Sequence, residues 1–168
     1  MDKYLISQIL VIIATIVIAV TYIVKSRKQI LSCFIIYNIF YGIHYLLLNA
    51  YTGFLMNLVS IGRNVFFYYN NSKDKENSKL ILIILYIIIV TFGIFSYQDI
   101  YSLVSMSASL LSTYSVWQKN VKKYRFIAVF VSIEFIIYGL HIHSPFAVIT
   151  EVFLLLVELI GIFINRKK

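Results

Sequence analysis

Tyr41-Gly42-Ile43-His44 returns as Tyr138-Gly139-Leu140-His141, 97 residues further on. The chain has only three histidines and six glycines. A match among such scarce residue types carries more weight than one among its many Ile and Leu. Both copies stand near the end of a long apolar segment. Other matches line up around them: Thr21-Tyr22 with Thr113-Tyr114 at an offset of 92, and Asn57 and Asn64 with Glu151 and Glu158 at 94. The offsets differ because connecting loops tolerate changes in length.

Working outward, seven apolar segments can be marked at about 4–24, 28–48, 51–69, 79–96, 100–117, 124–143 and 145–164. Each approaches the roughly 20 residues that an α-helix needs to cross a bilayer. With 61% hydrophobic residues and 13% charged, a water-soluble domain would have too little polar surface to cover its core. Segment 1 is rich in β-branched residues, but a lone strand would leave its backbone unpaired in lipid, so helix is expected. The internal matches pair segments 1–3 with segments 5–7 and leave segment 4 over. Three helices reverse the chain's direction across a membrane and a fourth restores it, so the second triple has the orientation of the first. The expected fold is an all-α integral membrane protein of seven transmembrane helices, arranged 3+1+3 as two parallel three-helix repeats. The units are 1–70, a loop and connector helix over 71–97, and 98–168 with its basic tail.

The formal charge of +8 does not imply nucleic acid, because its placement is explained by topology. Lys25, Arg27, Lys28, Lys73, Lys75, Lys79, Lys119, Lys122, Lys123, Arg125, Arg166, Lys167 and Lys168 all fall at one set of segment ends. The other set has only Lys3, and Arg63 lies inside segment 3. By the positive-inside rule the N-terminus is outside and the C-terminus cytoplasmic. The first apolar run is longer than a signal peptide's and no small-residue cleavage site follows it, so no cleaved signal is expected. A single cysteine, Cys33, excludes an intramolecular disulfide. Tyrosines near segment ends, with Trp117 and Gln118, fit an interfacial belt.

Polar residues inside the segments fall at helical spacing. Tyr37, Tyr41 and His44 form one stripe, and Glu134, Tyr138 and His141 its counterpart. Gly53, Asn57, Ser60 and Asn64 share a face of segment 3, Ala147, Glu151 and Glu158 a face of segment 7, and Ser105, Ser109 and Ser112 a face of segment 5. A charged side chain at the bilayer centre costs about 2.5–3.5 kcal/mol on insertion scales. Glu134, Glu151, Glu158 and Arg63 must therefore pair, protonate or face water. Arg63 and Glu158 lie at similar depth and are expected to pair across the two halves. Glu134 and Glu151 are then left to exchange protons or hold a cation. The rival reading is packing: glycine lets helices approach, and Tyr, His, Asn and Ser hydrogen-bond across them. There is no His-x-x-x-His or Glu-x-x-His metal spacing, no Ser/His/Asp set and no phosphate loop. No cofactor or metal, and no enzyme, is expected.

The run Tyr41-Gly42-Ile43-His44-Tyr45-Leu46-Leu47-Leu48, followed by Tyr51-Thr52-Gly53, Met56-Asn57 and Arg63-Asn64, resembles the bacterial YgjV family of inner-membrane proteins. Thr113-Tyr114-Ser115-Val116-Trp117-Gln118 and Tyr138-Gly139 resemble it in the second half. The family is grouped with the SWEET, PQ-loop and nicotinamide-riboside-type carriers. The resemblance implies a small-solute carrier in the bacterial cytoplasmic membrane, working by alternating access. The Pro-Gln dipeptide of the PQ-loop carriers is absent, and the one proline is Pro145, so a proline-hinged mechanism does not carry over. The expected solute path is lined by Asn38, Tyr41, His44, Asn57, Asn64, Glu134, Tyr138, His141, Glu151 and Glu158, with Arg63 balancing charge. The expected partners are the lipid bilayer and an unidentified small solute, with homo-oligomerisation left open. The alternative is a sensor or assembly factor whose polar residues only hold helices together.

Overall fold

The computed structural model describes residues 2–24, 26–70, 78–118 and 120–166, and among them seven α-helices and no strand. The helices are α1 (Lys3–Val20), α2 (Arg27–Leu47), α3 (Tyr51–Asn70), α4 (Lys79–Phe95), α5 (Ile100–Trp117), α6 (Val121–His141) and α7 (Pro145–Arg166). Lys25, Lys73, Lys75, Lys119, Lys167, Lys168 and most of the polar linker after Asn70 lie outside the described residues. α1 and α2, with the spans Lys122–His141 of α6 and Pro145–Phe163 of α7, are long and apolar enough to cross a membrane. α4 is equally apolar but shorter, at 17 residues. α3 and α5 carry the asparagines, Arg63 and the serines, which lower their hydropathy.

The helix ends follow from local chemistry. Asp2, Ser78, Asp99 and Asn120 each accept backbone N–H groups that have no partner inside their helix. At Asp99 this is a capping box closed by Ser102. α2 and α6 end alike. Asn49 and His143 adopt φ of 57° and 55°, the left-handed conformation that terminates helices. The N–H of Ala50 returns to Tyr45 O at 2.9 Å, and that of Ser144 to Gly139 O at 3.0 Å. Two tight turns of one geometry thus lead into α3 and α7.

Six helices close a ring. α1 packs on α2, α2 on α3, α3 on α5, α5 on α6, α6 on α7, and α7 back on α1. α4 lies outside, against α3 and α5. Its buried residues are Ile89 and Gly93, and Leu80, Ile87, Ile94 and Phe95 are exposed. Large apolar side chains such as Ile16, Phe126, Leu140 and Phe163 cover much of the exterior of the ring as well. In water that surface would drive aggregation, whereas against acyl chains it is at home. Helices consecutive in the chain run in opposite directions, so the ring neighbours α3 and α5, and likewise α1 and α7, run the same way. Ser7 therefore meets His44, Tyr4 meets His143, and Asp99 meets His141 at one end of the bundle.

Candidate functional site

The ring encloses a cavity of about 410 Å³. It runs inward from the end that carries Arg27, Gln118 and Arg125, and residues of α1, α2, α3, α5, α6 and α7 line it. The inner end is walled by Tyr37, Asn38 and Tyr45 of α2, Met56 and Asn57 of α3, Ser132 and Phe135 of α6, and Glu151 of α7. Beyond it the bundle is closed by aromatic packing: the Tyr45 and Tyr138 rings meet edge to face at 5.5 Å, and Tyr41 packs on Tyr45 at 5.7 Å. Gly53 is where α3 fits under these rings. Its N–H donates to Tyr138 Oη at 3.2 Å, and a Cβ there would lie 2.9 Å from both Tyr138 and Tyr45.

Of the residues expected to line a path, Asn38, Asn57, Glu151 and Glu158 face this cavity, together with Arg63. Glu151 is 4% exposed, and its Oε1 accepts the Tyr37 hydroxyl at 3.1 Å. Glu158, two turns further along the same face of α7, is 6% exposed, and its Oε2 has no hydrogen-bond partner in the protein. Tyr22, in the turn after α1, has its phenol held above the ordinary range by burial and then by the nearby Glu158 carboxylate, while Arg125 acts in the opposite sense. The Arg125 guanidinium lies across Gly161, one turn beyond Glu158. Asn38 Nδ2 donates to Phe34 O, and Asn57 Nδ2 to Gly53 O at 2.8 Å.

The expected Arg63–Glu158 pair is not formed. Arg63 turns to α5 instead, donating Nη1 to Thr113 Oγ1 at 2.9 Å and to Ser112 Oγ at 3.3 Å, and Nε to Asn64 Oδ1 at 3.3 Å. Hydroxyls and an amide oxygen accept from the guanidinium in place of a carboxylate. Among the described residues the one ion pair is His141 Nε2 to Asp99 Oδ2, at 2.7 Å.

The remaining candidates sit in helix contacts away from the cavity. His44 is fully buried, and its Nδ1–H donates to Ser7 O at 3.1 Å, tying α2 to α1. His141 stacks on Tyr101 at 3.9 Å and ties α6 to the start of α5. Glu134 accepts from Ser107 Oγ at 2.7 Å. Tyr138 serves Gly53, Asn64 serves Arg63, and Tyr41 lies between Tyr37 and Tyr45. Sequence reasoning placed Tyr37 on a polar stripe but not in the site, although its hydroxyl is the cavity's contact to Glu151. In the sequence Arg125 counts only as a loop charge. Its signal, a glycine on α7 one turn beyond Glu158, becomes visible only once α6 and α7 are packed together.

A family model described as a bacterial inner membrane protein, Imp-YgjV, matches residues 5–168. No curated protein and no solved structure matches the chain.

Proposed function

The chain belongs to the Imp-YgjV family of bacterial inner membrane proteins, and from that premise we propose that it is a small-solute carrier. It works by alternating access between α1–α3 and α5–α7, with α4 as connector, the N-terminus outside and the C-terminus cytoplasmic. The observation that carries this reading is the cavity of about 410 Å³, walled by all six ring helices and lined by Asn38, Asn57, Glu151 and Glu158. A fold that needed polar residues only for helix packing would have no reason to leave space beside two carboxylates. The pattern of helix contacts supports the two-part arrangement. Exchanging α1 with α5, α2 with α6 and α3 with α7 turns the α3–α5 contact into the α7–α1 contact and leaves the ring unchanged. The matched turns at Asn49 and His143 support it too.

On this reading the solute enters from the basic end and stops at the Tyr45–Tyr138 closure. Tyr41, His44, Asn64, Glu134, Tyr138 and His141 position helices around the path rather than lining it in this conformation. The chemistry is translocation; nothing in the lining calls for bond-making. The test is flux of small solutes into vesicles holding the purified protein, against Glu151→Gln and Ser60→Trp, the second of which fills the cavity. Flux lost in both variants, with folding retained, upholds the carrier. Absence of flux for any solute class, or variants that lose only stability, points instead to a sensor or assembly factor.

A further inference from the structure

We infer that the cavity is a binding site for organic cations: a solute with an ammonium group seated against Glu151, with Tyr37 as its aromatic wall. The inference rests on the cavity read above as a solute path and adds the chemical class of the occupant.

The group at the inner end that carries a formal charge is the Glu151 carboxylate. One N–H of each of the Asn38 and Asn57 amides goes to a backbone carbonyl of its own helix, and the second N–H and Oδ1 stay available. The Tyr37 hydroxyl proton is spent on Glu151. A solute therefore meets a carboxylate and a phenol oxygen, with two amides and the Ser132 hydroxyl beside them. A sugar or other polyol could bond to the amides but brings nothing to neutralise the carboxylate. The head of an organic cation brings positive charge and no acceptor, which suits a carboxylate with aromatic rings beside it.

A second observation is independent of the inner end. Glu158 is 94% removed from solvent, lines the same cavity, and keeps Oε2 without a partner. Seven residues from Glu151, it lies on the same face of α7 about 10 Å away. A cation leaving the inner carboxylate would therefore meet a second one on its way to the mouth.

The arginines of the lining leave Glu151 uncancelled. Arg63 is turned onto Ser112, Thr113 and Asn64. Arg27 donates to Val116 O at 3.3 Å, at the mouth. Arg125 lies over Gly161, one turn from Glu158, so its charge offsets that outer carboxylate and not the inner one. At the level of Tyr37 and Asn57, the formal charge among the lining residues is Glu151. Tyr37 and Tyr45, whose rings line the inner end, supply the π faces that favour a cation at such a place.

The test uses the full chain in detergent or nanodiscs, with choline as probe and 3,3-dimethyl-1-butanol as its uncharged isostere, and reads equilibrium binding and the shift in melting temperature. Choline should bind and raise the melting temperature, while the isostere and a hexose should not. Glu151→Gln should weaken choline by about tenfold or more, because it removes the formal negative charge that faces the cation. Tyr37→Phe, which keeps the ring, should weaken it less than Tyr37→Leu. Should Glu151→Gln fail to fold, the Tyr37 pair makes the comparison. Equal binding of choline and its isostere, binding of the hexose alone, or unchanged affinity in the Glu151 and Tyr37 variants overturns the inference. Cation binding without flux leaves the inference standing and removes the carrier. Flux of a neutral solute without cation binding does the reverse.

Discussion

Replacing Gly53 by alanine tests the closure at the inner end of the cavity. A methyl carbon built there lies 2.9 Å from Tyr138 Cε1, 2.9 Å from Tyr45 Cγ and 3.0 Å from Tyr45 Cδ2. Neither ring can yield alone, because the two pack edge to face at 5.5 Å and both are buried. Overpacking of this kind costs about 1–3 kcal/mol. Moving Tyr138 also breaks the 3.2 Å bond from the Gly53 N–H, worth about 1 kcal/mol. The better helix propensity of alanine returns about 1 kcal/mol. The net expectation is a loss of about 1–3 kcal/mol, read as the shift in an equilibrium unfolding curve in mixed micelles with increasing SDS. Tyr138→Phe keeps the ring and removes only the acceptor, so it should cost about 1 kcal/mol. Tyr138→Leu should relieve part of the clash, so that the double variant is less destabilised than the two single effects added, by about 1 kcal/mol. A Gly53→Ala protein within about 0.5 kcal/mol of the parent, or strict additivity with Tyr138→Leu, would refute the packing reasoning.

Three further outcomes follow from the same contacts. Asn49 and His143 have φ of 57° and 55°, so glycine at either should be neutral or mildly stabilising, whereas valine should cost about 1–2 kcal/mol, measured by the same unfolding titration. Asp99 caps α5 through Oδ1 and holds His141 through Oδ2; Asp99→Ala should therefore cost about 1 kcal/mol or more. His141→Ala, which removes the partly exposed pair and the stack on Tyr101 but leaves the cap, should cost less, and a larger loss at His141 would contradict this ranking. With Cys33 first replaced by serine, single cysteines at Asn57 and Ser60 should react with a charged thiol reagent added from the side of Arg27 and Arg125. Reaction only from the opposite side would mean that the cavity opens the other way.

The sequence disclosed helix positions closely where apolar length sets them: 100–117 was read where α5 spans Ile100–Trp117. It overran at α1, read to 24, because hydropathy does not register how the chain leaves a helix. Thr21 Oγ1 bonds back to Ile18 O, and the N–H groups of Thr21, Tyr22 and Ile23 turn to carbonyls three residues back. Within the site, costly groups were legible and cheap ones were not. Glu151 and Glu158 stood out because a carboxylate is expensive in a bilayer. The partners of Arg63 did not, since Ser112 and Thr113 can be placed there at little cost and look like packing residues. Matching charge at equal depth suggested Glu158 for Arg63, but depth along a helix says nothing about rotation around it. How the Asn38 and Asn57 amides are turned depends on the backbone carbonyls their Nδ2 atoms reach, and no spacing in the sequence encodes that.

The two seams between α1–α3 and α5–α7 are not equally strong, and on the carrier reading that asymmetry selects the hinge. The α3–α5 seam is bridged by charge-assisted bonds from Arg63, by Thr52 Oγ1 to Ser102 Oγ at 3.1 Å, and by Gln98 clasping Asn49 O and the Tyr51 N–H. α4 braces it from outside. The α1–α7 seam is held by neutral pairs: Thr15 to Thr150, and Ser144 Oγ to Gln8 Oε1 at 3.2 Å, with Tyr4 Oη to His143 O at 3.1 Å beside them. Neutral bonds between membrane helices average about 0.6 kcal/mol, and a solute with a modest preference for one conformation can offset the loss of a few. Bonds to a buried guanidinium are dearer to break. The halves should therefore part along α1 and α7 and pivot along α3 and α5. In a Cys33→Ser background, oxidising a Thr15→Cys/Thr150→Cys pair should stop flux, and reduction should restore it. Oxidising Thr52→Cys/Ser102→Cys should leave flux running. Undiminished flux with the first pair oxidised, or its loss with the second, would place the hinge on the other seam.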